Sequence, residues 1–460
     1  TGSGLDFYWT ANDKIWVKDD NNTYNQSIDD DINNRLTAAG STTTAKAKFW
    51  VNGTYSGGTY KVRYTGKNGV QDKVTIKASQ TQNTPNDAAH IAEDGDFGVA
   101  DAVGYQFTLN HKAAYVTFMP YNASGVISGA KIQKIRIYTN NTSDQLAGTF
   151  DLADNGSLSN GTTTSNSVEL NVNDFTLPSA YSYTTNGATM VLNPGTYSNV
   201  TIEYTIRDAV TNITGTVKKT YPSVTFDAGK NTPVRADLQI TVYPGNNYYM
   251  WDAKQNYWAD HEWDTANPWQ PVLNGATEGT NYPKFGENRF YNRVNNGTAS
   301  NMPATQNPLF TALPNVNEMS WYVVKGDPHY DADEVWTTMG HLYKGGLWIK
   351  KKSKIAGFNS NTDYNGVDWR AASLQYLGPS TGSYANALAN TTAGQPTNIN
   401  DYFYIPSLGK YDGLYLFYGS GNVQLTEIGQ AGYYWTSTGT YWDGAPSGYY
   451  LMIQSTRIFL

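Results

Sequence analysis

From Phe49 onward the hydrophobic positions recur at every second residue rather than every third or fourth. Tyr60, Val62 and Tyr64 alternate with Lys61 and Arg63, and VTIKA follows at 74–78. Val200, Ile202, Tyr204 and Ile206 alternate with Thr201, Glu203, Thr205 and Arg207, and Val234, Ala236, Leu238, Ile240 and Val242 repeat the pattern. A period of two places one face of each run on a core, so these are half-buried strands. Turn signals such as SGG, NPG and DAGKN separate them, and helical periodicity is nearly absent before residue 330.

One stretch reads differently. In GDPHYDADEVWTTMGHLYKGG, 326–346, Val335, Trp336, Met339, Leu342 and Tyr343 form a stripe at helical spacing. Asp331 with Glu334 three later matches a capping box, Asp333 would sit at the positive helix end, and Gly345–Gly346 would stop the helix. The spacing predicts a helix over 331–346. His329 and His341 do not show the one-turn spacing of a HExxH metal site, so the stretch reads as scaffold.

The patterning divides the chain. Residues 1–35, polar and acidic, read as a leader arm; ADNGSLSNGTTTSN at 153–166 has no apolar period and separates 36–152 from 153–244. Beyond YPGNN at 243–247 the composition shifts, with ten of the 13 tryptophans after residue 250, so 245–460 is expected to be a separate aromatic-rich domain. The full 460 residues suit several domains with their own cores.

A net charge of −7 gives no support to nucleic-acid binding. With no cysteine, disulfides, zinc–thiolate sites and a thiol nucleophile are excluded. Tyr, at 36 residues, and Gly, at 43, give the profile of an extracellular β protein. The chain opens on Thr-Gly-Ser-Gly, which reads as a mature or truncated start, and no apolar stretch approaches the ~20 residues of a membrane helix. The expectation is a soluble chain whose only membrane attachment is a lipid anchor outside it.

No P-loop occurs, and the single GxSxG, GPSTG at 378–382, is not taken as a nucleophile elbow on five residues alone. Asp19–Asp20, Asp29–Asp31 and Asp94–Asp96 offer oxygen ligands, so calcium is the one cofactor kept open, although none repeats an EF-hand loop and solvated turns account for such sets more often. The segment 250–269 is the better lead for recognition: Trp251, Tyr257, Trp258, Trp263 and Trp269 could stack on sugar rings, or fill a small core, the reading preferred here. No catalytic residue is assigned, and the chain is read as a binding protein rather than an enzyme.

FTLNHKAAYVTFMPY at 107–121, KIQKIRIYT at 131–139 and LAGTFDL at 146–152 resemble the fimbrillins of Bacteroidetes, subunits of type V pili, in which an F-x-L-x-H/R-x-x-A-x-V strand precedes an I-x-I strand and a G-x-F turn. AHIAEDGDFGVADA, NPGTYSNVTIEYTI and FDAGKNTPVRADL extend the likeness over about 36–244. The resemblance implies a mainly β chain with two tandem transthyretin-like sandwiches, export as a lipoprotein to the outer-membrane surface, and assembly with other pilus subunits by strand exchange after an arginine-specific protease removes an N-terminal segment. Arg35 is the only arginine in the first 62 residues, so Arg35–Leu36 is the candidate processing bond; an ordinary surface arginine in a mobile arm is the competing reading.

Residues 315–355, GYYWTSTG at 432–439 and GYYLMI at 448–453 resemble the Fibrobacter succinogenes major paralogous domain, tied to C-type-lectin-like α+β folds. An appended module of that kind does not polymerise and suits a tip adhesin that presents it to a glycan or protein ligand on a host or bacterial surface. The alternatives are a surface lipoprotein that binds or processes carbohydrate, and the base anchor of the pilus.

Overall fold

In a computed structural model of the chain the described residues are 4–28, 31–125, 127, 129–276, 281–293, 305–370, 387–413, 423–442 and 445–460. The architecture is mainly β, as the two-residue periodicity requires, and it divides into two compact units: residues 1–207 with 216–239, and residues 208–215 with 240–460. No helix among the described residues is long and apolar enough to cross a membrane.

The first unit is built from four main sheets. One has the order Tyr24–Gln26, Trp16–Lys18, Thr59–Tyr64, Gly98–Val103 and Asn110–His111. A second joins Leu158–Ser165, Ala147–Leu152 and Lys73–Ile76; a third joins Ala188–Leu192, Ala114–Tyr121 and Asn231–Asp237. The fourth runs Ile213–Phe226, Gly195–Asp208, Ala130–Thr139, Ser167–Thr176 and Ser79–Gln82. The alternation read at 200–206 is visible directly, since Ile202, Tyr204 and Ile206 are buried while Glu203, Thr205 and Arg207 are partly exposed.

Two details of this unit differ from the sequence reading. The Ser/Thr/Asn/Gly stretch at 153–166 contains the edge strand Leu158–Ser165, whose residues are half-buried or exposed. Strands on either side of it share sheets: Ala114–Tyr121 pairs with Ala188–Leu192, and Ala130–Thr139 pairs with Ser167–Thr176. A polar edge strand has no buried face to give it an apolar period, which is why its composition resembles a linker.

The second unit holds a sheet ordered Thr241–Tyr243, His329–Thr338, His341–Lys350 and Tyr402–Pro406, a sheet of Leu388–Asn390, Arg457–Phe459, Ala445–Gln454 and Ala431–Trp442, and a small sheet ending on Lys410–Gly413. Met319, Val323, Tyr330, Leu347, Ile349, Leu451, Ile453 and Ile458 form its principal core. Asp208 is fully buried within it, accepting hydrogen bonds from Leu342 N and His341 Nδ1, both at 3.0 Å.

The helix expected over 331–346 is not formed; the stretch is a β-hairpin of His329–Thr338 and His341–Lys350. Met339 and Gly340 make its two-residue turn with φ of 49° and 78°, the left-handed pair that such hairpins require. Val335, Thr337 and Thr338 are β-branched, and Trp336 to Thr338 are buried consecutively, so burial on both faces mimicked a helical stripe. Asp331 does cap backbone amides, those of Asp333 at 3.0 Å and Glu334 at 3.2 Å, but at a bulge between Asp331 and Val335 rather than at a helix start.

The helix of this region lies upstream at Val316–Lys325. There Asn315 and Glu318 form the capping box, and Val316, Met319 and Val323 face the core.

Candidate functional site

The candidate site is the seam in the first unit where the segment preceding Arg35 meets the sheet. Ile15 and Val17 are 1% and 9% exposed and pack with Tyr60, Val62, Ala100 and Ala102. The strand Trp16–Lys18 that carries Val17 pairs with Thr59–Tyr64 at only two positions, Trp16 opposite Arg63 and Val17 opposite Val62. It therefore closes the edge of a six-residue strand with very few main-chain bonds.

Side chains reinforce this thin pairing. Tyr24 Oη donates to Asp154 at 2.6 Å, Lys18 Nζ lies 3.4 Å from the same carboxylate, and Arg63 completes the ion-pair cluster. The Arg63 guanidinium also stands 4.2 Å from the Tyr24 ring centroid. Burial pushes the Asp154 carboxyl upward, but the hydrogen bonds from Tyr24 and Arg63 outweigh it and hold the group below the ordinary carboxylate range. Burial, and then the Asp154 carboxylate, push the Tyr24 phenol well up.

A second set of contacts lies nearer the start of the chain. Phe7 stacks on His111 with centroids 3.6 Å apart. His111 Nδ1 is 2.9 Å from Asp96, which also accepts from Tyr115 Oη. Tyr64 Oη donates to Asp13 at 3.0 Å. The segment read as a leader arm is thus, over its described residues, folded onto the unit.

Arg35 and Leu36 lie in the helix Asp31–Ala39. Arg35 is exposed and its Nε donates to Asp31 at 2.6 Å, while Leu36 and Ile32 are buried. The Asp31 carboxylate is held low by Arg35 first and by the Lys48 amide second, the latter at 2.8 Å. The arginine is presented to solvent, but its following bond is part of a helical turn that must open before an extended-substrate protease can take it.

The five aromatic residues proposed to meet a ligand lie in the second unit. Trp251, Tyr257 and Trp258 are 4%, 5% and 0% exposed, and the last two pack on Val423. Buried rings have no face to offer a sugar, so these three serve the core. Trp263 is half-buried against Trp336 and Met339. Trp269 is half-buried, with His261 stacked on it at 3.2 Å and the Arg289 guanidinium 5.8 Å from its ring. The segment's alternation of Trp with Asp and Asn reflects tight turns, Asp252 and Asp260 both having positive φ.

The acidic sets serve local structure. Asp19 accepts the amides of Asn21 and Thr23, Asp20 that of Ser56, and Asp94 pairs with Lys77; Asp29 lies outside the described residues. Among the described residues no three His, Cys, Asp or Glu side chains gather as metal ligands.

Sequence reasoning missed Tyr24, Arg63, Asp96, His111 and Asp154 as the anchors of the segment. His111 stands at the H/R position of the fimbrillin-like motif, which was the one available signal.

No protein-family model matches the sequence, and no curated protein is similar to it at a significant level. Among solved structures, one from Bacteroides ovatus, provisionally described as a cell adhesion protein, aligns with 49% of this chain and 81% of its own at 16% identity and a TM-score of 0.30. A protein of the same description from Bacteroides thetaiotaomicron aligns with 50% of this chain and 82% of its own, at 16% identity and a TM-score of 0.28. A third, from Bacteroides fragilis, covers 49% and 79% at 11% identity and a TM-score of 0.27. Likenesses at this level do not by themselves assign a function.

Proposed function

We propose that the chain is a cell-surface fimbrial subunit, a tip adhesin that joins a pilus shaft by strand exchange and presents its second unit to a ligand. The observation that carries this reading is the strand Trp16–Lys18. It completes the sheet edge of Thr59–Tyr64, places Ile15 and Val17 in the core, and precedes the exposed Arg35. Scission after Arg35 followed by loss of that segment would leave an open edge and an apolar groove, which the strand of another subunit can occupy. The fimbrillin-like motifs of 107–152 supply the family context.

The base-anchor alternative has its own support: the ties of Lys18 and Tyr24 to Asp154, and of Phe7 to His111, favour a segment that stays in place. N-terminal sequencing of the protein recovered from pili separates the two. Leu36 as first residue, with immunogold labelling at filament ends, is the expected result; an uncut start on anchored protein would favour the alternative, and uniform labelling along shafts would defeat the tip assignment.

A further inference from the structure

We propose that a cavity in the second unit, bounded by residues 312–314, the helix Val316–Lys325 and the strand Tyr402–Pro406, binds an acidic sugar residue, a hexose-sized ring bearing a carboxylate. The cavity holds about 320 Å³, the lower end of the range used for small ligands. Tyr322 and Phe403 supply its aromatic wall, packed edge to face with centroids 5.6 Å apart, and Tyr322 is braced from behind by Phe358 at 5.4 Å. Rings fixed in this way offer apolar faces to the C–H side of a sugar at little entropic cost.

The polar groups at the rim select the ligand class. Glu318, which lines the cavity, accepts a hydrogen bond from Asn315 N at 2.9 Å through one carboxylate oxygen. Four lysines occupy five positions in an otherwise acidic chain, at 350, 351, 352 and 354. Lys350 is paired with Asp327 at 3.0 Å, Lys354 with Asp401 at 2.7 Å, and Lys351 Nζ donates to Asn400 O at 2.8 Å. Lys352 lines the cavity, is exposed, and has no partner among the described residues. Lys351 and Lys352 outweigh Glu318 among the lining side chains, and ammonium groups beside an aromatic wall complement a carboxylate held on a sugar ring.

The inference rests on the reading of the second unit as the adhesive module. Its test is titration of the full chain with oligogalacturonate and with a neutral galactose oligomer of equal length, at low and raised salt. The acidic oligomer is expected to bind at least tenfold more tightly, with the preference shrinking as salt rises. Lys352→Glu, at an exposed position that leaves the fold intact, is expected to abolish the preference, Lys352→Arg to keep it, and Tyr322→Ala to weaken both oligomers. Equal affinity for the two oligomers, or an unaltered preference in Lys352→Glu, would overturn the site. That failure is separate from failure of the adhesin reading, which is decided by where the protein sits on filaments whether or not this sugar binds.

Discussion

Two sheet edges of the first unit are closed by different means. The strand Ala188–Leu192 is covered by two glutamine side chains. Gln80 exchanges hydrogen bonds with Val191 N and O at 3.0 and 2.7 Å, and Gln82 does the same with Thr189 N and Gly187 O at 2.7 and 2.9 Å. Both glutamines are 1% exposed, so their amides act as a strand substitute built into the interior. Thr59–Tyr64 is covered instead by Trp16–Lys18, a separate short strand upstream of an exposed arginine. The first closure is made by side chains of the unit's own interior; the second is attached by two registered pairs and a few side chains, and on the function proposed above it leaves once the chain is cut.

The sharpest way to break this contrast is Gln80→Leu, which leaves the buried amide and carbonyl of Val191 without partners. It should cost about 2–4 kcal/mol, read as a lowered denaturant midpoint. If the midpoint does not move, the glutamine closure is not structural. Ile15→Ala should come next, at about 2–4 kcal/mol by the usual scale for buried aliphatic truncation. Its loss should appear first as faster hydrogen exchange in 15–26 and 59–64, ahead of any change in Ala188–Leu192.

Asp154→Asn should have a smaller effect, about 1 kcal/mol or less because the carboxylate is partly exposed. It should raise the rate at which a cut segment departs. The Asp154 carboxyl is depressed in the folded chain, so its contribution is present above about pH 4 and is lost as pH falls through the folded value. The difference between parent and Asp154→Asn should therefore vanish on acidification; a difference that persists at low pH would place the stabilisation elsewhere. Arg35→Lys should leave stability unchanged by thermal melting, yet block an arginine-specific protease at that bond.

The sequence showed the closure by Trp16–Lys18 poorly and the closure by Gln80 and Gln82 not at all. Strands with one solvated face, such as Thr59–Tyr64 and Gly195–Asp208, announce themselves by alternation. SQTQ at 79–82 holds no apolar residue to signal a buried strand, and burial of glutamine makes sense only beside a backbone edge over 100 residues away in the chain. In the second unit, the hairpin His329–Lys350 passed for a helix because consecutive burial hides the period, whereas the helix Val316–Lys325 carried an Asn-x-x-Glu cap that the eye skips when seeking Ser or Asp. Arg35 was legible by its isolation; the helix around it and the buried Leu36 were not. Aromatic content drew attention to 250–269, but composition does not distinguish a packed tryptophan from a displayed one.

The central claim, that the strand before Arg35 can be exchanged for another, is tested most directly by cutting the full chain with an arginine-specific protease and following it by native mass spectrometry. The account predicts a cut at Arg35, release of the N-terminal piece, and self-association that a peptide spanning residues 4–28 suppresses when added in excess. A chain cut at Arg35 that keeps its N-terminal piece and stays monomeric at high concentration would contradict it.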